Sequence, residues 1–508
     1  MNFKLNKLVV TALASTALMG FGSTALADTT DDIVNALMAK GILTEEEGAL
    51  LMRGRTGEKE ASEKKKESAV SAKYKDGLSF ESGDGKFKAQ INGRVHADYR
   101  FFDYNDGDNN AVPLGAANSL GLTASGAAPN SVADTGDIRR SRIGFKAAWK
   151  DYYEGEVVAN LGGTTGTNLD VGYLNIAWWK PVQFRFGQFK MPMNLEELTS
   201  SNNIDFMERS FVNALAPAKE IGAMVHGSPF KGTTYALAFS NGQGQNATEG
   251  DIREDGKDVI GRITANFAEM LDKKDMVMHA GLSYSQGDLP QGAAGVAGRT
   301  EARGATFFRA PSFIATNTPF QDIDRSRLGV EGAVAFNQFK VQAEWMQANN
   351  DFKTNARSYD LDTENWYLQA LWAISGEPYA DAYKGGIFGG LKPKNDFDPS
   401  TFSGGLWELG VRYSEFDASD YDTLGIASGT VDAAFGAATS ATKAAGFAKA
   451  EAWTAGIKFV PNSNMRLMLN YVDTDFSDAI GGATGGVIVN NKRVDDEQAL
   501  IMRAQWMF

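Results

Sequence analysis

From Lys86 to the end of the chain, apolar and polar residues alternate with a period of two. In the last ten residues, Leu500, Met502, Ala504 and Trp506 share one parity, and a mixed set of residues lies between them. Successive side chains of a strand point to opposite faces, so each such segment predicts a strand with one apolar face. Turn signals divide the region into about 16 segments. They start near Lys86, Asp137, Tyr152, Leu169, Val182, Lys219, Lys231, Lys257, Asp275, Asp324, Gln338, Thr363, Gly405, Lys449, Asn464 and Asp495.

The connections between these segments alternate in length. The short ones are 150–151, 180–181, 228–230 and 461–463, and the long ones are 103–136, 190–218, 286–323 and 417–448. Short turns opposite long loops are typical of transmembrane β-barrels, and an even strand number returns both chain ends to one side. We therefore predict an all-β fold, a 16-stranded antiparallel transmembrane β-barrel with a short N-terminal helical segment. Residues 375–404 are unusually long for the short-turn side, so they either fold back into the lumen or are disordered.

The N-terminal region differs from the rest. Two lysines, an apolar stretch and the small-residue site Ala25-Leu26-Ala27 predict a secretory signal peptide over residues 1–27. Residues 28–85 are predicted to form a periplasmic helical segment and a charged linker, and residues 86–508 the outer-membrane barrel. No later stretch reaches the ~20 apolar residues of a spanning helix, so a membrane-embedded chain must use strands.

Local signals support the helical segment. Thr44 and Glu47 have the spacing of a capping box, in which each residue satisfies a backbone donor of the other. Gly41 lies where a glycine would end a preceding helix. We expect a spacer or assembly element here, and an envelope-tethering structural role is one alternative function for the protein.

Composition excludes several classes of function. The chain has no cysteine, which excludes disulfides, iron–sulfur clusters and thiolate metal sites. Its net charge of −13 argues against a nucleic-acid partner. The three histidines, His96, His226 and His279, lie on well-separated segments without a nucleophile motif. We therefore expect no enzyme activity, no cofactor and no metal site.

Charge on the lumen face is predicted strand by strand. The apolar parity of a barrel strand faces lipid, so the other parity lines the lumen. Basic residues at inward positions include Arg94, Arg140, Arg142, Lys146, Arg185, Arg262, Arg325, Arg327, Arg412, Arg466 and Arg503. The inward acids identified in this way are fewer, namely Asp98, Glu154, Glu156, Glu331, Glu344 and Glu408. A basic lining favours anions, unless these bases simply pair with acids on neighbouring strands.

Five blocks in the barrel region carry a family resemblance. They are Arg139-Arg140-Ser141-Arg142-Ile143-Gly144-Phe145, Phe186-Gly187-Gln188-Phe189-Lys190, Leu195-Glu196-Glu197-Leu198-Thr199-Ser200-Ser201, Phe206-Met207-Glu208-Arg209-Ser210 and Trp407-Glu408-Leu409-Gly410-Val411-Arg412-Tyr413-Ser414. In this order, behind an export signal, they resemble the phosphate-selective porin O and P family of Gram-negative outer membranes.

The resemblance implies a homotrimeric porin whose third outer loop, here 190–218, folds inward and narrows the channel. It assigns Arg139, Arg140, Ser200 and Ser201 to an anion site, to which the inward parity adds Arg142. The same parity places Arg139 on the lipid side, so that residue must lie above the membrane belt or in irregular backbone. Implied partners are inorganic anions or small solutes, outer-membrane lipid, the other copies of the homotrimer, and the barrel-assembly machinery through the C-terminal Phe508.

One residue departs from the family pattern. The phosphate-selective members carry a lysine three residues before the first of the two serines, and this chain has Glu197. An acid at the constriction would repel a phosphate dianion by several kcal/mol in a poorly screened narrow pore. The sequence thus indicates an anion-preferring diffusion channel, with phosphate as one permeant and a general non-specific porin as the alternative. Glu208 and Arg209 are expected to form ion pairs that hold the loop against the barrel wall.

Overall fold

A computed structural model gives the fold of the chain. The residues it describes are 34–35, 37–50, 52, 69–74, 77–104, 106–111, 122–123, 133–163, 166–247, 256–288, 296–310, 321–353, 358–424, 444–480, 486–489 and 492–508. The predicted signal peptide, residues 1–27, lies outside the described residues.

Sixteen long strands form a closed antiparallel barrel. They are β1 (Phe87–Asp103), β2 (Thr135–Trp149), β3 (Tyr153–Gly162), β4 (Thr167–Trp179), β5 (Val182–Lys190), β6 (Lys219–Gly227), β7 (Thr233–Ser240), β8 (Asp258–Asn266), β9 (Met276–Asp288), β10 (Gln321–Phe336), β11 (Phe339–Lys353), β12 (Ser358–Ala373), β13 (Leu406–Asp417), β14 (Ala445–Asn462), β15 (Met465–Ala479) and β16 (Asp496–Met507). Each strand pairs with the next, and β16 pairs with β1. The predicted 16-stranded barrel is confirmed.

The two faces of the barrel wall follow the predicted alternation. Outward side chains are apolar and exposed, for example Phe145, Phe186 and Leu237, while their sequence neighbours point into the lumen. Near the short turns, aromatic side chains stack on the outer face, with the rings of Trp149 and Tyr153 5.9 Å apart. Such an aromatic girdle marks the edge of the apolar band on transmembrane barrels.

The third and fifth outer loops fold into the lumen. The third, hereafter L3, spans residues 191–218, and the described part of the fifth, residues 296–310, also turns inward. Their aromatic side chains pack with the wall, where Phe307 lies 5.5 Å from Phe211 and 5.1 Å from Phe416 between ring centroids. These rings are almost fully buried. The inward fifth loop was not predicted from the sequence.

The long turn, residues 374–405, also enters the lumen. Tyr379 and Phe388 are 2% and 3% exposed and pack against Leu195 of L3 and Leu371 of the wall. The Tyr379 hydroxyl donates to Glu408 at 2.8 Å. Of the two predicted alternatives, inward folding is therefore the one observed.

The N-terminal segment contains the predicted capping box. The Thr44 backbone N–H donates to Glu47 Oε2 at 2.9 Å, and the Glu47 backbone N–H donates to Thr44 Oγ1 at 3.2 Å. Helix follows over residues 45–50, and Gly41 has φ of 67°, as a helix-ending glycine does. No helix among the described residues is long and apolar enough to cross a membrane.

Candidate anion-binding constriction

The start of L3 is held by a carboxylate of the barrel wall. Glu344 accepts hydrogen bonds from the backbone N–H groups of Leu195 and Glu196 at 2.8 and 2.7 Å. These donors open the short helix Leu195–Leu198 and have no partner inside it. The Glu196 side chain in turn pairs with Arg412 at 3.1 Å. This end of the loop is thus fixed by charges from β11 and β13.

The middle of L3 sits in a slot made by two glycines. Gly410 and Gly456 face each other on β13 and β14, and the Phe206 ring packs onto both. A Cβ atom at Gly410 would lie 3.0 Å from the ring, and one at Gly456 3.2 Å. The Arg412 guanidinium lies over the Phe206 ring, 4.8 Å from its centroid. A side chain at either glycine would crowd the loop away from the wall.

The end of L3 is anchored at the seam where the barrel closes. Glu208 pairs with Arg139 of β2 and Arg503 of β16, each at 2.9 Å, and with Arg100 of β1 at 3.4 Å. Arg503 also binds Asp98 of β1 at 2.7 Å. Burial raises the pKa of Glu208, but the guanidinium groups of Arg139 and Arg503 outweigh burial and hold it well below its usual range.

A β-bulge explains how both members of the arginine pair face inward. His96 pairs with Arg140 and Ala97 pairs with Ile138, so Arg139 is the extra residue on β2. The bulge turns the Arg139 side chain toward Glu208, whereas Arg140 keeps its inward direction. Of the two alternatives stated for Arg139, irregular backbone is therefore the one observed.

Beside L3 lies an open cavity of about 600 Å³. Strands β1 to β8, L3 and the tip of the long turn form its wall. Among the described residues, three acidic side chains line it, Glu156, Asp170 and Glu197. Nine basic side chains line it, namely Arg94, Arg140, Arg142, Lys146, Arg185, Lys190, Arg209, Lys219 and Arg262. The wall of this cavity is therefore strongly positive although the whole chain is acidic.

The acids of the cavity are all paired. Asp170 lies 2.8 Å from Arg142 and 2.6 Å from Lys219. Glu156 lies 3.2 Å from Lys146. Since each carboxylate is matched by at least one cation, the remaining basic residues keep an excess of positive charge.

Glu197 is also paired, with Lys190 at 3.6 Å and Arg209 at 3.4 Å. It therefore does not stand in the pore as the free, repelling carboxylate considered from the sequence. Arg209 pairs inside L3 rather than with the barrel wall, so of the two residues Glu208 and Arg209, Glu208 is the one that ties the loop to the wall as expected.

Three arginines of the cavity have no carboxylate within 4 Å among the described residues: Arg94, Arg140 and Arg185. Arg94 donates to Ser201 Oγ at 3.2 Å, and Nη1 of Arg140 is buried without a hydrogen-bond partner. Arg185 stacks on Tyr173, 4.3 Å from its ring centroid. Guanidinium groups without a counter-ion are the groups most able to take a permeating anion.

The structure brings most of the predicted site together. Arg140, Arg142, Ser200 and Ser201 all line the cavity, on β2 and on L3. Arg139 does not line it, because its guanidinium is engaged by Glu208. Lys190 and Arg209 were missed as site residues, because only the inward fold of L3 brings them to the cavity.

Several predicted lumen bases form ion pairs or hydrogen bonds with the barrel wall or with the inward loops instead of lining the cavity. Arg325 and Arg327 pair with Asp258 at 2.6 and 3.2 Å. Arg412 binds Glu196 and Glu301, Arg466 binds the carbonyl oxygen of Asn202, and Arg503 binds Asp98 and Glu208. Arg94, Lys146, Arg185 and Arg262 do line the cavity.

The inward acids are more numerous than predicted. The structure adds Asp170, Glu220, Asp258 and Glu497, all at most 4% exposed. Asp170 is the extra residue of a bulge between β3 and β4, where a fixed parity cannot be followed. Pairing of bases with lumen acids thus holds for much of the barrel, and excess positive charge is concentrated at the cavity.

The histidines remain apart in the fold. His96 lies 3.1 Å from Asn202, His226 2.9 Å from Asn175, and His279 2.9 Å from Glu331. Among the described residues, no three His, Asp or Glu side chains are grouped as metal ligands would be.

Comparison with known proteins places this architecture in a family. A family model described as phosphate-selective porin O and P matches residues 122–508. Porin O of Pseudomonas aeruginosa is 25% identical over 454 residues, which cover 86% of this chain and 92% of that protein.

Solved porins resemble the chain more distantly. An anion-selective porin from Comamonas acidovorans is 13% identical, with a TM-score of 0.48 over 83% of this chain and 100% of that chain. The outer membrane channel DcaP of Acinetobacter baumannii is 12% identical, with a TM-score of 0.45 over 83% of this chain and 98% of that chain. Since the family model covers most of the chain, the protein belongs to the phosphate-selective porin O and P family and is a channel of the Gram-negative outer membrane.

Proposed function

We propose that the cavity beside L3 is the selectivity site of an anion diffusion channel and that inorganic phosphate is one of its permeants. The observation that carries this proposal is the excess of basic over acidic side chains on the cavity wall. Rings of Arg and Lys select anions because they replace part of the hydration of the passing ion. Arg94, Arg140 and Arg142, with the hydroxyls of Ser200 and Ser201, would contact the anion.

The arrangement of two arginines supports a ligand-directed role. Arg94 of β1 and Arg142 of β2 are register partners on the lumen face. Like charges directly opposite on neighbouring strands are destabilising. Asp170 forms a direct ion pair with Arg142, whereas Arg94 has no carboxylate within 4 Å among the described residues, so an anion bound at the constriction would stabilise Arg94.

Phosphate is supported by the chemistry of the donors and by the family. The guanidinium fork matches the spacing of phosphate oxygens, and hydroxyl groups add further donors. The matching family is described as phosphate-selective. Lys146, Arg185 and Arg262 lie on the same cavity wall and would guide the anion along it.

We further propose the remaining organisation of the protein. Residues 1–27 serve as signal peptide, 28–85 as periplasmic helical segment and linker, and 86–508 as the barrel. The barrel acts as a homotrimer in outer-membrane lipid, and Phe508 serves barrel assembly. The Phe508 backbone N–H already pairs with the Gly93 carbonyl at 3.1 Å, which places the C-terminus at the seam with β1.

Planar-bilayer recording tests the proposed function. The reversal potential across a KCl gradient is expected to show chloride preference, and added phosphate is expected to reduce the chloride current as it occupies the site. Chloride preference without any effect of phosphate would indicate a general anion porin. Cation preference would refute the proposal.

A further inference from the structure

Glu197 occupies a place at the constriction that an incoming anion would otherwise take. Its carboxylate lies on the cavity wall between Lys190 and Arg209. The carboxylate is nearly closed off, with 5% of the side chain exposed, whereas 23% of the Lys190 side chain and 13% of the Arg209 side chain remain exposed. The protein therefore supplies its own counter-ion to two cations that face the cavity.

The two cations do not depend on that carboxylate for their position. Lys190 Nζ donates to the backbone carbonyls of Glu197 and Thr199. Arg209 donates to the carbonyls of Glu196 at 3.0 Å, Glu197 at 3.2 Å and Thr199 at 2.9 Å. Backbone carbonyls satisfy these donors but leave the positive charges in place. An amide in place of the carboxylate would thus remove one negative charge and leave both cations anchored.

The carboxylate is ionised at neutral pH. Burial raises the pKa of Glu197, but the Arg209 guanidinium and the Lys190 ammonium outweigh burial and lower it overall. The counter-ion is therefore permanent under working conditions. An anion can use Lys190 and Arg209 only in competition with it.

We infer that Glu197 is a specificity-determining residue of the constriction, a tethered carboxylate that competes with the permeating anion for Lys190 and Arg209. This inference rests on the proposed anion channel and deepens it. With Glu197 in place, the constriction offers a small oxyanion mainly Arg94 and Arg140, so the anion is held loosely and passes quickly. Without Glu197, Lys190 and Arg209 become available to a doubly charged oxyanion, which takes the place of the carboxylate as their counter-ion and is retained.

The test is block of chloride current by inorganic phosphate in planar bilayers. Glu197→Gln is expected to lower the half-blocking phosphate concentration about tenfold, which corresponds to about 1.4 kcal/mol. Glu154→Gln is the matched control, because Glu154 faces the lumen on β3 outside the cavity wall and its replacement changes the charge equally. The control is expected to change the half-blocking concentration much less. Heat-modifiable migration in gels confirms that each variant is a folded barrel.

An unchanged half-blocking concentration in Glu197→Gln would overturn the inference. An equal decrease in Glu154→Gln would overturn it too, since overall lumen charge would then explain the effect. A cation-selective wild-type channel refutes the proposed function itself, so the two failures are distinguishable. Should Glu197→Gln not assemble, Lys190→Met is the second variant. Because Glu197 already neutralises Lys190, this replacement is expected to weaken phosphate block less than Arg140→Gln does, and an equal weakening would contradict the inference.

Discussion

Removing the anchor carboxylate of L3 should loosen the constriction. Glu208→Gln would remove the counter-ion that Arg139, Arg503 and Arg100 share at the barrel seam, while Asp98 would still pair with Arg503 and Arg100. Breaking a buried ion pair by removing one partner costs about 3–5 kcal/mol. At the lower value, the ratio of docked to undocked loop falls roughly a hundredfold, since each 1.4 kcal/mol is a factor of ten. The contacts of Glu344 and Phe206 remain, so we expect the end of L3 to detach before its start.

Two measurements read out this change. Single-channel recordings of Glu208→Gln are expected to show larger and noisier conductance, because the end of L3 leaves the lumen. The temperature at which the folded band is lost in gels should fall. Asp151→Asn is the control, since it breaks the exposed pair with Lys88, and solvent screens such exposed pairs so that they contribute little to stability. A Glu208→Gln channel with the conductance and unfolding temperature of this control would refute the reasoning.

Further predictions concern the site, the long turn and pH. Arg140→Gln should raise the half-blocking phosphate concentration about tenfold or more, since a charge-assisted hydrogen bond contributes about 1.5–3 kcal/mol. Arg139→Gln should mainly lower the temperature at which the folded band is lost in gels. If Arg139→Gln weakened phosphate block and Arg140→Gln lowered the unfolding temperature instead, the roles assigned to the two arginines would be exchanged. Deleting residues 382–389 should raise single-channel conductance, because their side chains fill lumen space; unchanged conductance would contradict that placement. Because the pKa of Glu208 is lowered, its stabilisation is complete above the usual value of 4.5 and is lost as pH falls through the lowered pKa. Wild-type conductance noise should therefore stay constant from pH 7 to 4.5 and rise only in stronger acid, and an early rise would contradict the pKa shift.

Ion pairing with carboxylates, rather than the inward position on a strand, decides which basic residues of the lumen can bind an anion. The predicted bases do face inward, yet Arg325, Arg327 and Arg503 lie against carboxylates and are closed off from the cavity. The partners of Arg503 are Asp98 on β1 and Glu208 on L3, 405 and 295 residues away in the chain. No local pattern contains such a pair. The proposed anion site centres on the arginines that, within the described part of the chain, have no carboxylate partner.

The sequence alone determined the number of strands, the face each presents to lipid, and the capping box of the N-terminal helix, because these features depend on residues a few positions apart and on the two-residue period of a strand. Tertiary structure decided the rest. Bulges at Arg139 and Asp170 interrupt the alternation of inward and outward side chains, and the long turn enters the lumen. Glu197 forms ion pairs with two basic residues instead of remaining a free carboxylate. The physical reason is that charge neutralisation depends on distance in space, and closing a barrel brings together groups that lie hundreds of residues apart in the chain.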